Sequence, residues 1–405
     1  MSLTSTISGF IIAAIYASIA VGHVPRLRMN RASIALVGAA VLVALGAITQ
    51  EQAFHAIDLG TITLLFSMMV INTQLQRAGF FSLVGNRVLR LARSPKMLLA
   101  LVIGASGVLS AFFLNDPVCL LFTPLVVDVT LRAKRNPIPY LMGLATAANI
   151  GSTATITGNP QNLIVGQASG IPYLTFLAHL APVAILGMLI AWVVIVLLYR
   201  KEFIKPMESP ELPEPRVYRP LLKRTLAVTV GLLIAFLIGV PIATAAFIGA
   251  SLLMVARLKP AKVLQVDWNL LMFFAGLFIV TGALETTGLS ARLFDLLRPV
   301  ITGGVASLSI ATTALSNLIS NVPAVLLFRP IVPTLEYPQQ AWLVIAMAST
   351  LAGNLTLLGS VANLIVAEIA GHKGVNLSFG EYLRAGVPIT VLTLIVGIIW
   401  LTLVT

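Results

Sequence analysis

Residues 114–118, LNDPV, place an asparagine, an aspartate and a proline inside the apolar stretch 97–131. Residues 320–324, SNVPA, repeat this phrase inside the apolar stretch 303–335, but without the acid. Because proline breaks a helix, each phrase predicts a hairpin that enters the membrane and returns to the side from which it came. The two phrases together predict a duplicated fold with an acid at the tip of only one hairpin.

The composition is typical of a protein embedded in a membrane. Hydrophobic residues make up 58% of the 405 residues, charged residues 10%, and the mean hydropathy is +0.99. A spanning helix needs about 20 apolar residues, which leaves room for roughly ten spans and some shorter re-entrant helices. The net charge of +12 lies in loops, which argues against a nucleic-acid-binding domain. A single cysteine, Cys119, excludes a disulfide framework and a CxxC metal site.

The chain divides into two apolar halves, residues 1–199 and 225–405, joined by the polar, proline-rich linker 200–224. Six pairs of residues recur in the same order in both halves, which predicts an internal duplication. The pairs are Asp58 and Asp267, Gly79 and Gly288, Asn115 and Asn321, Pro124 and Pro330, Gly158 and Gly359, and Asn162 and Asn363. Besides its hairpin (about 97–131 or 303–335), each half is expected to contain a broken helix, at about 138–168 and about 340–371.

Basic residues in the loops predict the orientation. An N-terminus outside the cell places Arg26, Arg28 and Arg31 in the cytoplasm, and a hairpin over 97–131 keeps the basic residues that follow it there as well. The linker then lies in the cytoplasm, and the second half enters from the opposite side. Inverted repeats of this kind are typical of secondary transporters. We therefore expect an all-α, multi-pass protein of the cytoplasmic (inner) membrane of a prokaryote.

The predicted broken helices contain runs rich in Gly, Thr and Asn, at 148–162 and 352–363. Unpaired backbone groups are costly in hydrocarbon, so such breaks persist only against protein or a water-filled cavity. Simple kinking of long helices is the alternative, but clustered, polar and duplicated breaks favour a polar pocket near the membrane centre. Its predicted substrate- and ion-binding residues are Asn115, Asp116, Asn149, Ser152, Thr153, Gly158, Asn159, Asn162, Asn321, Asn354, Thr356, Gly359, Ser360 and Asn363.

Asp116 is the residue on which ion coupling is predicted to depend. A lone carboxylate near the membrane centre costs about 2.5 kcal/mol or more, so it must bind a cation, pair with a base or hold a proton. The matched position is Val322, so the fold itself does not need an acid there. We expect Asp116 to carry the coupling proton, with sodium as the alternative ion. A permanently protonated structural acid or a helix cap is the other interpretation.

Two further residues are candidates for a role in transport. Glu285 is expected either to act as a gate or to lie at the membrane interface. Cys119, one helical turn beyond Asp116, would either contact a thiophilic substrate or serve only in packing. No cofactor, metal site or enzymatic activity is expected, because the sequence contains no nucleophile–base or metal-ligand pattern.

These motifs resemble the ion-transporter superfamily, which includes divalent-anion/sodium symporters, citrate carriers and bacterial arsenite/antimonite efflux carriers. The resemblance covers nearly the whole chain and implies a scaffold and a transport region that slides as an elevator. The tip NDP with LLFTPLV looks like the arsenite-carrier tip, and GNLTLLGSVANLIVAE fits the second half of that branch. The loop GNPQN is more similar to anion permeases and symporters. Dicarboxylate symporters have Ser-Asn-Thr at both tips, and those threonines are missing here.

The resemblance and the pocket chemistry together predict a proton-coupled, elevator-type secondary transporter that exports arsenite or antimonite. One alternative is sodium- or proton-coupled uptake of a carboxylate or inorganic anion, such as citrate, a dicarboxylate or sulfate. Another is a cation/proton antiporter of the same fold, which the lack of a second acid disfavours. The expected partners are the substrate and the lipid bilayer, without nucleic acid. A homodimer and, for an arsenite pump, a soluble ATPase are the remaining partner expectations.

Overall fold

The computed structural model describes residues 3–21, 29–204, 214–255 and 265–405, and those residues form an all-α, polytopic membrane fold. Arg26, Arg28 and residues 205–213 of the predicted linker lie outside the described residues. The first ten helices are α1 (Leu3–Val21), α2 (Arg31–Ala44), α3 (Gln50–Ala56), α4 (Leu59–Ala78), α5 (Phe80–Arg90), α6 (Pro95–Phe112), α7 (Asn115–Arg132), α8 (Pro137–Ser152), α9 (Pro160–Ser169) and α10 (Tyr173–Leu198). The later helices are α11 (Arg219–Leu237), α12 (Ile242–Met254), α13 (Trp268–Thr286), α14 (Leu289–Ile301), α15 (Gly304–Ile319), α16 (Asn321–Phe328), α17 (Pro338–Ala352), α18 (Val361–His372) and α19 (Phe379–Val404).

Helix length and composition identify candidate spanning helices. Within the described ranges, α6, α10, α11, α13 and α19 are long and apolar enough to cross a membrane. The pair α3 and α4, bent by 50°, adds a sixth candidate if it is counted as one span. Each stretch predicted as a hairpin or broken helix is divided in two: α6 from α7, α8 from α9, α15 from α16, and α17 from α18. The division leaves short helices such as α9 and α16, which are too short to span alone.

The matched aspartates and glycines mark the ends of matched helices. Asp58 caps α4, because its Oδ1 accepts the backbone N–H of Thr61 at 2.9 Å. Asp267 caps α13 in the same way. Gly79, which ends α4, has φ 79°, and Gly288, just after α13, has φ 71°, a left-handed conformation that glycine adopts without strain. The local sequence therefore fixes where this helix pair begins and ends.

The start of α11 differs from the predicted linker boundary. The prediction places the second half at residue 225, whereas α11 begins at Arg219. Pro220 stands in the first turn of the helix, where a backbone N–H has no helical partner to lose. Proline is therefore tolerated there, and its presence does not extend the linker.

Helix packing sorts most of the fold into two groups. Helix α4 packs on α11 and α12 of the other half, and its match α13 packs on α1 and α2. We call these six helices the scaffold group. The divided helices α6–α9 and α15–α18 pack on one another, with α7 against α18 and α16 against α9, and α10 and α19 pack beside them. We call these ten helices the hairpin group.

The matched helices α4 and α13 run antiparallel. Near the end of α4, Arg77 donates a hydrogen bond to the side chain of Gln265, just before α13, at 2.6 Å. Near the end of α13, Gly282 packs against Ala56, just before α4. This is the arrangement that an inverted second half requires. The last linker residue, Tyr218, donates its backbone N–H to the Ala78 carbonyl at 3.1 Å, so we call this side of the protein the linker side and the other the far side.

Candidate functional site

Each broken helix is held by one asparagine side chain. The Asn162 amide donates to the backbone carbonyl oxygens of Ser152 and Thr155 at 3.1 and 2.9 Å, across the break between α8 and α9. The matched Asn363 donates to two carbonyl oxygens of the second break at 2.7 and 3.2 Å. Carbonyl groups released by the breaks thus regain partners without water. We call Asn162 and Asn363 the latch residues.

The latch residues also join the two halves. Asn149 of α8 donates to Asn363 Oδ1 at 3.1 Å, and Thr350 of α17 donates to Asn162 Oδ1 at 3.4 Å. Asn149 and Thr350 occupy matched positions, since 350 − 149 and 363 − 162 both equal 201. The hydrogen bond to the latch residue's Oδ1 therefore occurs in both halves, but its donor is the amide of Asn149 in one case and the hydroxyl of Thr350 in the other.

The residues that cap the second half-helices complete this network. Asn159 caps α9 and donates to the Thr350 hydroxyl at 3.1 Å. Ser360, its match, caps α18 and donates to Asn149 Oδ1 at 3.0 Å. The breaks of the two halves therefore meet in one buried polar cluster, with the N-terminal ends of α9 and α18 directed into it.

The hairpin tips reach the same cluster, and the two tips differ. Asn115 donates its backbone N–H to the Gly158 carbonyl at 3.1 Å and its side-chain amide to Asn149 Oδ1 at 3.0 Å. Asn321 lies against Gly353, and its buried Oδ1 has no hydrogen-bond partner among the residues that the structure describes. Its neighbour Ser320 has φ 80° and ψ 157°, a conformation that costs a residue other than glycine about 1–3 kcal/mol. Strain of this kind tends to occur at functional sites.

The predicted binding residues thus come together around the two breaks and the two tips. Thirteen of the fourteen bond or pack within the cluster, and none of these lines the cavities described below. Asp116, which is half-buried, is the exception. The binding roles of the other thirteen stay a prediction.

Asp116 lines a cavity of about 340 Å³ between the first hairpin tip and the scaffold group. Asp267 lies on its scaffold wall, and among the described residues no lysine or arginine lines it. The lining side chains are otherwise polar and neutral, or apolar. The polar neutral ones are Asn72, Thr73 and Gln76 of α4, and Gln265.

A groove on the linker side shares wall residues with this cavity. This groove has a volume of about 590 Å³ and runs between the start of α13 and α18. Asp267 lines both spaces, whereas Glu368 and Arg31 line only the groove. Asp267 therefore lies where the cavity that contains Asp116 and the linker-side groove adjoin.

On the far side the corresponding surfaces are in contact. Asp58 forms an ion pair of 2.7 Å with Arg329, which follows α16. Gly60 of α4 packs against Gln167 of α9, where a Cβ atom would stand 3.1 Å from the Gln167 oxygen. The linker-side residues matched to Asp58, Gly60 and Gln167 are Asp267, Asn269 and Glu368, and all three line the open groove. A far-side cavity of about 320 Å³, between the α9–α10 and α11–α12 turns, is lined by neither tip.

The other two candidates, Glu285 and Cys119, do not line the cavity. Glu285 is exposed at the end of α13, close enough to Arg329 to attract it electrostatically, and Arg329 also stands 5.3 Å from the ring centre of Phe278. Cys119 is fully buried and does not line the cavity. Their proposed roles as a gate and a thiol contact stay predictions. Within the described residues, no three His, Cys, Asp or Glu side chains form a metal-binding group.

Several polar residues of the cavity were not predicted from sequence motifs, among them Asn72, Gln76 and Asp267. The first two belong to the run INTQLQ inside the apolar helix α4, and polar residues in a spanning helix are a functional signal. Asp267 was identified only as the match of Asp58. Its position beside Asp116 depends on how hairpin and scaffold groups meet, which no local pattern encodes.

Comparisons with known proteins agree with this architecture. Residues 10–352 match the sequence profile of the family described as citrate transporter, CitMHS. The silicon efflux transporter LSI3 of Oryza sativa subsp. japonica is 30% identical over 98% of both chains. A candidate transporter of Dictyostelium discoideum, arsB, is 26% identical over 93% of this chain and 87% of its own. The Alcanivorax borkumensis YdaH transporter shares the fold, with a TM-score of 0.62 at 16% identity over 99% of this chain and 98% of its own. The predicted resemblance to the ion-transporter superfamily is confirmed.

We expect the latch residues to be essential for stability. Asn162→Ala and Asn363→Ala each leave buried carbonyl groups unpaired, at about 1–3 kcal/mol for each group. Both variants should therefore unfold at a clearly lower temperature in detergent. Gln339→Ala, which removes an exposed amide at the start of α17, is the control and should unfold like the wild type. Equal unfolding temperatures for all four proteins would contradict the latch.

Proposed function

The chain belongs to the CitMHS citrate transporter family within the ion-transporter superfamily, and we propose that it is a proton-coupled secondary transporter that exports a small, neutral, hydroxylated solute. Arsenite and antimonite, which are As(OH)₃ and Sb(OH)₃ in neutral water, are the solutes we favour. The name of the relative arsB supports this choice. Silicic acid, Si(OH)₄, has the same chemistry, and the rice relative is named for silicon efflux.

The charge of the cavity is the observation that carries this proposal. Asp116 and Asp267 line it together with neutral amides and a hydroxyl, and no lysine or arginine among the described residues does so. Two like charges 4 Å apart repel by about 4 kcal/mol at an effective dielectric constant of about 20. An ionised Asp116 would therefore repel citrate or sulfate, whereas hydroxyl groups can donate hydrogen bonds to it.

Asp116 couples the solute to the proton because both need the same carboxylate. An ionised carboxylate without a ligand is costly to move through the membrane centre. A bound proton removes its charge, and the hydroxyl groups of a bound solute replace the water that the carboxylate loses. Both occupied forms can move while the empty, ionised form cannot, which is the condition for exchange of solute and proton.

The movement we propose is an elevator motion of the hairpin group against the scaffold group. The cavity lies between these two groups, so sliding one past the other would carry Asp116 from the linker side towards the far side. Loop charges support a cytoplasmic linker, an N-terminus outside the cell and a location in the prokaryotic inner membrane. The groove would then open to the cytoplasm, as an exporter needs for loading. A homodimer and a soluble ATPase partner remain predictions.

One observation also favours a second candidate function, cation/proton antiport. A second acid, which the sequence motifs did not provide, lines the opposite wall of the cavity as Asp267. Two carboxylates and the amide oxygens of Asn72 and Gln76 could coordinate a cation. Uptake of an anion coupled to sodium is less well supported, because no basic side chain lines the cavity among the described residues.

Thermal unfolding of the purified protein distinguishes these candidates. A ligand at about 100 times its Kd stabilises a protein by about 2.7 kcal/mol, which is a measurable rise in unfolding temperature. We expect arsenite, antimonite or silicic acid to stabilise the protein, and citrate, succinate, sulfate and sodium to have no effect. Stabilisation by sodium alone would support cation antiport, and stabilisation by citrate with sodium would support anion uptake.

Asp116→Asn should abolish transport driven by a pH gradient. The amide cannot release a proton, so arsenite uptake into everted vesicles with an imposed gradient should fall to the equilibrium level, while the unfolding temperature stays near that of the wild type. Asp128→Asn is the control, because Asp128 is an exposed acid of the same helix α7 that pairs with Lys373 outside the cavity. Proton-driven uptake that survives in Asp116→Asn would count against the mechanism.

The Asp58–Arg329 ion pair should hold the far side closed. It joins Asp58, which caps α4 in the scaffold group, to Arg329, which directly follows α16. The residue matched to Arg329 in the first half is Thr123, which has no charge. A partly exposed ion pair contributes about 0.2–1 kcal/mol, so its loss should shift the balance of the two states up to about fivefold. We expect Arg329→Gln and Asp58→Asn each to increase far-side opening.

Thiol labelling measures this opening. In a Cys119→Ser background, Gln167→Cys reports on the far side and the matched Glu368→Cys reports on the linker side. Arg329→Gln should increase labelling at 167 and decrease it at 368, whereas Arg329→Lys, which keeps the positive charge, should stay close to the original ratio. Arg292→Gln, which removes an exposed cation of α14, is the control. Labelling at both sites that is insensitive to the ion pair would show that it does not close the far side.

A further inference from the structure

Asn72 is a buried amide for which the described part of the chain provides no hydrogen-bond partner. Its side chain is 3% exposed, and within the described residues neither its oxygen nor its nitrogen makes a hydrogen bond. It lies on α4, in the scaffold group, and it lines the cavity that also contains Asp116. Hydrogen-bonding groups buried in proteins nearly always have partners, so Asn72 is expected to have one, and the cavity that it lines is the adjoining space that can hold it.

The cavity has room for such a partner. Its volume of about 340 Å³ exceeds the volume of about 30 Å³ that one water molecule occupies in the liquid. A solute with a few hydroxyl groups therefore fits together with water. Gln76 lies one helical turn beyond Asn72 and lines the same cavity, so this face of α4 presents two amides in succession.

We propose that Asn72 is the scaffold's contact for the transported solute, and that it binds the solute only while the carrier is open to the linker side. This inference rests on the proposed function and extends it. The Asn72 amide donates to an oxygen of the solute and its carbonyl accepts a hydrogen bond from a hydroxyl group, while Asp116 accepts from another hydroxyl group. The ligand that fits these contacts is a neutral solute with several hydroxyl groups, because each hydroxyl group can both donate and accept a hydrogen bond. A fully ionised anion would offer acceptors only.

The one-sided action follows from where the two residues lie. Asp116 is on the first hairpin and moves with the solute, whereas Asn72 stays with the scaffold group. The match of Asn72 in the second half is Thr281, since both 281 − 72 and 267 − 58 equal 209. The Thr281 hydroxyl lies 3.4 Å from the Tyr16 hydroxyl and is therefore already partnered. The scaffold thus offers the solute an amide when the carrier is open to the linker side, and it offers no equivalent amide when the carrier is open to the far side.

The test compares substrate affinity from the two sides. Arsenite exchange is measured in right-side-out and everted vesicles, and the linker side is identified as the side from which a thiol reagent reaches Glu368→Cys. Asn72→Leu should raise the half-saturating arsenite concentration about tenfold from the linker side, which corresponds to about 1.4 kcal/mol, and leave the far-side value within about twofold. Asn72→Gln, which keeps the amide, should recover part of the affinity.

Gln74→Leu is the matched control. Gln74 is also a fully buried amide of α4 without a partner among the described residues, but it does not line the cavity. Its replacement should leave half-saturation unchanged from both sides. Neither leucine variant is expected to unfold at a lower temperature, because leucine removes an unpaired polar group.

Three results would overturn the inference. Equal losses of affinity from both sides would place Asn72 in a contact that moves with the solute. Unchanged half-saturation in Asn72→Leu would mean that water alone partners the amide. The same loss in Gln74→Leu would indicate a structural effect on α4. A wild-type protein that transports neither arsenite, antimonite nor silicic acid would instead refute the proposed function on which the inference rests.

Discussion

The fold depends on two amide side chains that close two gaps in the backbone hydrogen bonding. Carbonyl groups released in the middle of a membrane have no water to bond, and Asn162 and Asn363 supply the missing donors. Because both breaks are satisfied from within, they can meet at the centre of the protein and direct the positive ends of α9 and α18 into it. The first hairpin tip is bonded to this cluster through Asn115 and so holds Asp116, in the first turn of α7, at the edge of the cavity. A carboxylate is favoured electrostatically in the first turn of a helix.

The two halves have matched helix breaks, and the residues that differ between the halves are those to which we assign roles in transport. Asp116 faces the cavity from the first tip, where the second tip has Val322. Arg329 pairs with an acid on the far side, where the first half has Thr123. In the elevator motion that we propose, the symmetry of the breaks would give two comparable positions for the hairpin group, and these unmatched residues would make the two positions unequal. A carrier that must load on one side and release on the other needs that inequality.

Much of the frame was predictable from residue order, because helix breaks have local causes. Proline, glycine and asparagine inside apolar stretches marked the hairpin tips and broken helices, and the paired Asp58 and Asp267 marked matched helix starts. Two features were not predictable in this way. Asn149 and Thr350 perform one role with different chemical groups, so no repeated letter reveals them. Asn72 belongs to a helix without any break, and its importance emerges only from the cavity that it faces.

The sequence by itself determined the all-α membrane fold and the places where apolar stretches divide into separate helices. These properties follow from the length of apolar stretches and from residues that cannot continue a helix, both of which are local. Only the tertiary structure decided which side is open, which acid stands beside Asp116 and which amide lacks a partner. Those properties arise from contacts between helices far apart in the chain, such as Asp58 with Arg329, 271 positions apart. The position of one helix group against the other sets these contacts, and no single segment of the chain fixes that position.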